Sequence, residues 1–313
     1  MLSVVIPAFD EEDAIGQTVK AVKETLAASD IAPFEIIVVD DGSADRTREI
    51  AAAEGARVVR HLQNLGYGRS LKDGIEAARY GAIAISDADG TYPVKDIPRL
   101  FAIYQTGYHM VVGSRTGEHY RESVFKSPLR WILQHLVEYT ASRKVPDINS
   151  GLRIFSREHA TTYFQRLCDT FSFTTSLTLA FMMNGLFVVY VPIDYYKRVG
   201  KTKVRLLSDS LRTLQYIAEA AVYYNPLRIF MLLSILLLAA SVILIGVNVF
   251  LHTTGLYYIA IGCVMMSIQT FATGLIAALL KQILQQQQSY STGDKAPPAQ
   301  TPSKVAAPPG AEP

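Results

Sequence analysis

Two cysteines in 313 residues are too few, and too far apart, for a disulfide framework or a thiolate metal site. Cys168 and Cys263 therefore fit a chain kept in a reducing compartment. Net charge is also small. The 30 Lys and Arg against 28 Asp and Glu leave +2, which gives no case for a nucleic-acid partner and moves the question of partners to local clusters. No internal repeat is visible. The first residues, Leu2-Ser3-Val4-Val5-Ile6-Pro7, read as a strand, without the basic and then apolar pattern of a signal peptide. The expectation is a catalytic part that stays in the cytoplasm.

Apolar residues are plentiful, and unevenly placed. Mean hydropathy is +0.19, and the excess lies late in the chain. Two uncharged runs, 229–251 and 256–280, would each span roughly 35 Å as helix, enough to cross a bilayer core. Buried core helices are the other reading. The link His252-Thr253-Thr254-Gly255 has room only for a tight hairpin. Arg228 before the pair and Lys281 after it predict that both ends face the cytoplasm. Residues 206–224 are amphipathic and stop at Asn225-Pro226. From about 285 the chain is rich in Gln, Pro and Ala, a composition that predicts disorder.

Ahead of these runs, strand and helix patterns alternate. Strands are predicted over 2–8, 34–39, 56–61, 82–86 and 109–112, and helices over 10–28, 44–53 and 66–79, with Ser43 as an N-cap. That rhythm predicts an α/β domain with a mostly parallel sheet covered on both faces. A helix over 128–143 mixes apolar and basic residues and reads either as packed or as lying on a membrane surface. A helix is expected over 171–183 and a further strand over 187–193. Ligands of such sheets sit beyond the carboxyl ends of the strands. Asp10, Asp40, Asp41, Asp87 and Asp89 all fall there.

The stretch Ser86-Asp87-Ala88-Asp89-Gly90-Thr91-Tyr92-Pro93 is the sharpest signal. Strand residues two apart share a face, so Asp87 and Asp89 can turn toward one hard cation, Mg²⁺ or Mn²⁺. A polar turn that caps the next helix is the alternative. Asp40 and Asp41 read either as hydrogen-bonding a base or ribose or as capping residues. Arg69 and Lys72 read as phosphate contacts or as a solvated helix face.

Three motifs together carry a resemblance. Val5-Ile6-Pro7-Ala8-Phe9-Asp10-Glu11-Glu12, Val39-Asp40-Asp41-Gly42-Ser43 and Asp87-Ala88-Asp89 resemble the successive motifs of family-two glycosyltransferases with the GT-A fold. Asp147-Ile148-Asn149-Ser150-Gly151-Leu152-Arg153 and the basic segment from Tyr195 to Lys203 resemble the polyprenyl-phosphate branch, which includes dolichol-phosphate mannose synthases and bactoprenol glucosyltransferases. The likeness covers roughly 1–225. It implies a GT-A, Rossmann-like domain over 1–204; with the apolar runs and tail composition, the expected layout adds an interfacial amphipathic helix over 205–226, a transmembrane hairpin over 227–281 and a disordered tail over 282–313.

The resemblance also implies roles. Pro7, Asp10, Glu12 and Asp40 would contact the nucleotide, with Asp41 beside them, and Asp87 and Asp89 would bind the metal. Ser150 would line the sugar and acceptor side, and Arg115 and Arg198 would meet phosphates. Lys201 and Lys203 would grip the acceptor phosphate, or else form a positive-inside cluster without a ligand. Asp147 reads as a base, as an orienting group for a cation, or as a turn residue. One departure weakens a mannose assignment: many dolichol-phosphate mannose synthases carry Gln two positions past the second Asp, and here Thr91 stands there. The expected activity moves one sugar from a UDP- or GDP-sugar to undecaprenyl or dolichyl phosphate. The partners are those two substrates, the membrane and a possible second copy. A hydroxyl acceptor, or a non-catalytic nucleotide-sugar scaffold, would be the rivals. The Q-x-x-R-W signature of processive synthases is missing.

Overall fold

The computed structural model describes residues 1–116, 143–170, 172–196 and 225–291, with scattered positions between 134 and 141 and between 214 and 223. The chain forms two compact units that divide between Ile217 and Ala218.

The first unit is built on one seven-stranded sheet, ordered β3-β2-β1-β4-β6-β5-β7. Its strands are β1 (Leu2–Ala8), β2 (Phe34–Asp40), β3 (Arg57–Arg60), β4 (Ala82–Ile85), β5 (Met110–Thr116), β6 (Arg153–Ser156) and β7 (Val188–Asp194). Four pairings are parallel: β1 with β2 and β4, β2 with β3, and β5 with β7. Strand β6 runs antiparallel to both of its neighbours, β4 and β5. Two reversals restore direction, so the carboxyl ends of β1, β2, β4 and β5 share one edge. The amino end of β6 meets them there.

Both sheet faces are covered, which is why β1 is buried along its full length. On one face, helix α1 (Ile15–Ala27) sends Ile15, Val19, Val22 and Leu26 inward at helical spacing. These pack with Leu2, Val4 and Ile6 and with Ile97, Leu100 and Phe101 of α4 (Ile97–Tyr104). Each fully buried aliphatic side chain contributes about 1.5–3 kcal/mol. Helix α3 (Tyr67–Ala77) covers β1 and β2 from the other face, where Gly74 fits against Val5 and Val39. Short helices α2 (Thr47–Ala53) and α5 (Arg157–Thr162) follow β2 and β6. Helix α6 (Phe173–Met183) is buried on nearly every side, as its apolar composition requires.

Two expectations are corrected at loop ends. Helix α1 begins at Ile15 rather than 10, because Asp10 sits in the left-handed region with φ 48°. Helix α2 begins at Thr47, and Ser43 is not its N-cap. The Ser43 hydroxyl instead accepts the Asp10 N–H at 2.9 Å. The loop after β1 outcompetes the helix for that oxygen.

The second unit is an antiparallel pair of long helices, α7 (Pro226–Leu251) and α8 (Thr254–Ser291). His252 adopts the left-handed conformation, and its N–H closes α7 on the Asn248 carbonyl at 2.8 Å. The two helices join through small and hydroxyl side chains. The Ser234 hydroxyl donates to the Ser267 carbonyl at 3.0 Å, Ser267 returns the bond to the Ser234 carbonyl at 2.9 Å, and Ser241 donates to the Ala260 carbonyl at 2.9 Å. Gly274 lets Phe230 lie against the backbone, where a methyl group would clash. Ala260, Ser267 and Gly274 recur every seven residues, so one seam of α8 faces α7. Both helices are long and apolar enough to cross a membrane. The disordered tail expected from about 285 is corrected at its start, because α8 continues as helix to Ser291, where Gln-rich sequence can still propagate an established helix. The rest of the tail, most of the amphipathic segment 205–226 and most of the helix over 128–143 lie outside the described residues.

Candidate active site

The shared sheet edge gathers most of the described residues that the sequence singles out. The loop after β1 and the loop after β2 are stitched together backbone to side chain. The Asp10 carboxylate accepts the Ala44 N–H at 2.8 Å, and Glu12 accepts the Arg46 N–H at 3.2 Å. In return Thr47 accepts from the Glu11 N–H at 2.8 Å and Asp45 from the Glu12 N–H at 3.1 Å. Pro7 lies in β1 past the rungs shared with β4, where its missing N–H costs that ladder nothing.

Asp40 and Asp41 end β2 with different duties. Asp40 is 2% exposed and accepts the Ser43 N–H at 3.1 Å, closing its own turn. Asp41 gathers the loop after β3. It accepts the Leu65 and Gly66 N–H groups at 2.8 and 2.9 Å and meets His61 Nδ1 at 2.7 Å. The far ring nitrogen of His61 lies 2.9 Å from Asp73, so this buried imidazole sits between two carboxylates. The geometry gives Asp41 a part in shaping the loop that leads into α3.

Asp87 and Asp89 lie in the turn beyond β4 rather than in the strand, so strand periodicity does not set their directions. The Tyr67 hydroxyl donates to Asp87 Oδ1 at 2.8 Å. Burial, together with the neighbouring carboxylate, holds the Tyr67 hydroxyl pKa well above its ordinary value, so it remains a donor. Asp89 is 6% exposed, and its Oδ1 accepts both the N–H and the hydroxyl of Thr91, at 3.1 and 2.6 Å. Thr91 thus braces the second aspartate.

The Arg115–Asp147 pair stands at the end of β5. Nε and Nη2 of Arg115 donate to the two oxygens of Asp147 at 2.7 and 2.8 Å, and the Arg115 and Asn149 N–H groups add bonds at 3.1 and 3.2 Å. Burial by itself would raise the Asp147 carboxyl pKa. The Arg115 charge and these hydrogen bonds outweigh it and hold the group below its ordinary value of 3.8. A carboxylate so occupied is a poor general base. Its clear effect is to orient Arg115, whose guanidinium also lies 5.4 Å from the Tyr195 ring centroid.

Tyr92 links the two clusters. Its hydroxyl accepts the Gly151 N–H at 2.6 Å, and its ring meets Tyr195 edge to face at 5.5 Å. The Ser150 hydroxyl donates to the Gly113 carbonyl, so Ser150 ties the segment before β6 to β5. Arg153 is fully buried and works inside the fold: it donates to the Ser150 and Thr174 carbonyls at 2.6 and 2.9 Å and to the Thr178 hydroxyl at 2.8 Å. Lys72 is also buried, bonded to Asp169 and to the Leu167 carbonyl, both at 2.6 Å, which corrects its reading as a solvated or phosphate-facing residue. Arg69 pairs with Asp73 on the surface of α3. Arg198, Lys201 and Lys203 lie outside the described residues.

The sequence does not single out Tyr67, Tyr92 or His61 as site-forming residues, and it gives Gly151 only a place in the Ser150–Arg153 segment on the sugar side, not beside Asp87. The Gly66-Tyr67-Gly68 triplet, read only as a helix start, held the one local hint: an aromatic residue between two glycines at a strand-end loop.

This geometry can be set beside known proteins. The family model for glycosyl transferase family 2 matches residues 3–164, more than half of the chain. The chain belongs to that family. It is 32% identical over 232 residues to the low-salt glycan biosynthesis hexosyltransferase Agl6 of Haloferax volcanii, covering 71% of this chain and 54% of that protein, so this chain spans about half of that relative. It is 28% identical over 204 residues to the dolichyl-phosphate hexose transferase of the same organism, covering 65% of this chain and 86% of the relative. Among solved structures it resembles glucosyl-3-phosphoglycerate synthase of Mycobacterium tuberculosis, crystallised with Mn²⁺, UDP and glucosyl-3-phosphoglycerate. That match has a TM-score of 0.57 and 23% identity and covers 71% of this chain and 80% of the other, which establishes the GT-A fold. The family-two glycosyltransferase therefore carries its catalytic fold in the first unit and two long apolar helices in the second.

Proposed function

We propose that this glycosyltransferase moves one sugar, with inversion, from a UDP- or GDP-sugar to a polyprenyl phosphate, undecaprenyl or dolichyl, at the cytoplasmic face of a membrane. The observation that carries the reading is the continuity of the sheet edge. Asp87 abuts Gly151, Gly151 bonds Tyr92, Tyr92 packs on Tyr195, and Tyr195 lies beside the Arg115–Asp147 pair. A pair of acids and an oriented arginine thus stand at neighbouring strand termini, where a metal-bound diphosphate and its phosphate oxygens would lie.

The acidic end suits Mg²⁺ or Mn²⁺. Such ions are held by one or two carboxylates, with phosphate oxygens and water completing the shell. Among the described residues no cluster of three or more His, Cys, Asp or Glu would hold an ion alone. Asp87 and Asp89 would therefore share it with the donor diphosphate. Bound there, the ion would stabilise charge developing on the departing nucleoside diphosphate. The loops after β1 and β2, carrying Asp10, Glu12 and Asp40, would position the nucleotide, with Asp41 holding the adjoining loop. Arg115, oriented by Asp147, would meet phosphate, and Ser150 would shape the sugar side.

The acceptor chemistry fits the engaged state of Asp147. A phosphate monoester has a second pKa near 6 and is largely dianionic at neutral pH, so it attacks without a base. A hydroxyl acceptor would need one. Arg198, Lys201 and Lys203 would receive the lipid phosphate. The helical hairpin, with Phe250 85% and Tyr258 71% exposed, supports a membrane anchor of two spans, joined to the catalytic domain by an interfacial segment over 205–226.

Purified protein incubated with a panel of UDP- and GDP-sugars, a polyprenyl phosphate and Mg²⁺ or Mn²⁺ tests the reading. A mild-acid-labile lipid phosphate sugar is expected, and thorough chelation should stop its formation until metal is returned. An acid-stable glycolipid would replace this reading with the hydroxyl-acceptor rival.

A further inference from the structure

The Asp87 carboxylate is held by residues distant along the chain, while Thr91 braces Asp89 from two positions away. Three segments meet at the Asp87 carboxylate. Tyr67, the first residue of α3, donates its hydroxyl to Oδ1 at 2.8 Å. Gly151, on the approach to β6, closes the other side: a Cβ there would stand 2.7 Å from each Asp87 oxygen, so the carboxylate rests directly on glycine backbone. Gly151 is itself pinned. Its N–H donates to the Tyr92 hydroxyl at 2.6 Å, and buried Arg153 holds the preceding Ser150 carbonyl at 2.6 Å.

A short carboxylate stem turns about two torsions. A hydrogen bond to one oxygen and a wall behind the group together fix both, so the acid meets its ligand already oriented. We propose that Tyr67 and Gly151 are positioning residues that set the direction of the Asp87 carboxylate toward the divalent ion and donor diphosphate. The inference rests on reading Asp87 as a residue at the metal end of the site. Partners of this kind around ligating carboxylates are commonly worth 10–100-fold in metal affinity. Neither residue touches the reacting atoms; both act through Asp87.

The test uses the full chain in detergent. Mn²⁺ affinity is measured from the spin-resonance signal of the free ion, with UDP and, in parallel, GDP. Metal-free nucleotide affinity and the thermal midpoint are measured beside it. Tyr67→Phe keeps the ring and removes only the donor. It should weaken Mn²⁺ binding on the order of 10-fold, with metal-free nucleotide affinity unchanged and the midpoint within about 2–4 °C of wild type. Gly151→Ala should give a comparable loss by displacing the carboxylate. Wild-type Mn²⁺ affinity in both variants would overturn the proposal. So would an equal fall in metal-free nucleotide affinity, since that marks general support of the pocket. Asp87→Ala separates the two levels. If it keeps wild-type Mn²⁺ affinity, the metal-end reading of Asp87 fails. If it loses the ion while Tyr67→Phe and Gly151→Ala retain it, only the positioning inference fails.

Discussion

Asp89 and Asp147 are both buried carboxylates at the sheet edge, and their partners separate their expected phenotypes. Asp89 accepts two bonds from Thr91 within one turn, and Asp89→Ala removes these local bonds without stranding a partner charge of the Arg115 kind among the described residues. Transfer should fall below detection in a labelled-sugar assay while circular dichroism and the thermal midpoint stay near wild type. Asp147 balances Arg115, whose side chain is 16% exposed. Removing one partner of such a pair strands a buried charge, at a cost of about 3–5 kcal/mol. Asp147→Ala should therefore lower the thermal midpoint as well as activity. The pH dependence follows from the depressed native pKa of Asp147. Its ionised form is favoured by folding, so its contribution is complete above the ordinary value of 3.8 and is lost as pH falls through the lower native value. The stability gap between wild type and Asp147→Ala should be widest near neutral pH and narrow below about pH 4. A gap independent of pH would show that the pair is not what Asp147 contributes.

Between secondary-structure elements, β6 and the α7–α8 seam matter most. Strand β6 runs against its neighbours, which delivers Asp147, Ser150 and Gly151 to the edge where β4 and β5 end. A parallel strand in that slot would have carried the segment to the opposite edge. In the proposed membrane setting, apolar burial between the hairpin helices would give little drive, and hydroxyl bonds and close approach would have to supply it. Gly274→Leu would force Phe230 out of its seat. The helices should then separate locally, read as lost cross-linking between cysteines placed at positions 234 and 267, whose hydroxyls lie 2.8 Å apart in the native seam.

For the chain as an assembly, membrane topology is the open test. A cysteine introduced at Thr253, in the link between α7 and α8, should react with an impermeant maleimide from the side opposite the catalytic domain. A tag at the C-terminus should be protected on that domain's own side. Labelling of position 253 from the catalytic side would end the two-span reading. The sequence by itself determined the elements and the acids at their ends, because strand periodicity, apolar run length and turn chemistry are local properties. It placed Asp10, Asp40, Asp87 and Asp89 at strand termini and the first long helix within a few residues of its observed bounds, whereas the second runs on to Ser291, well past the apolar run. It did not determine that Asp147 is spent on Arg115, that Lys72 and Arg153 are buried braces, or that Tyr67 and Gly151 enclose Asp87. Most of those contacts join residues from about 20 to 100 positions apart. Only the order and direction of strands in the folded sheet decides which distant side chains share one edge.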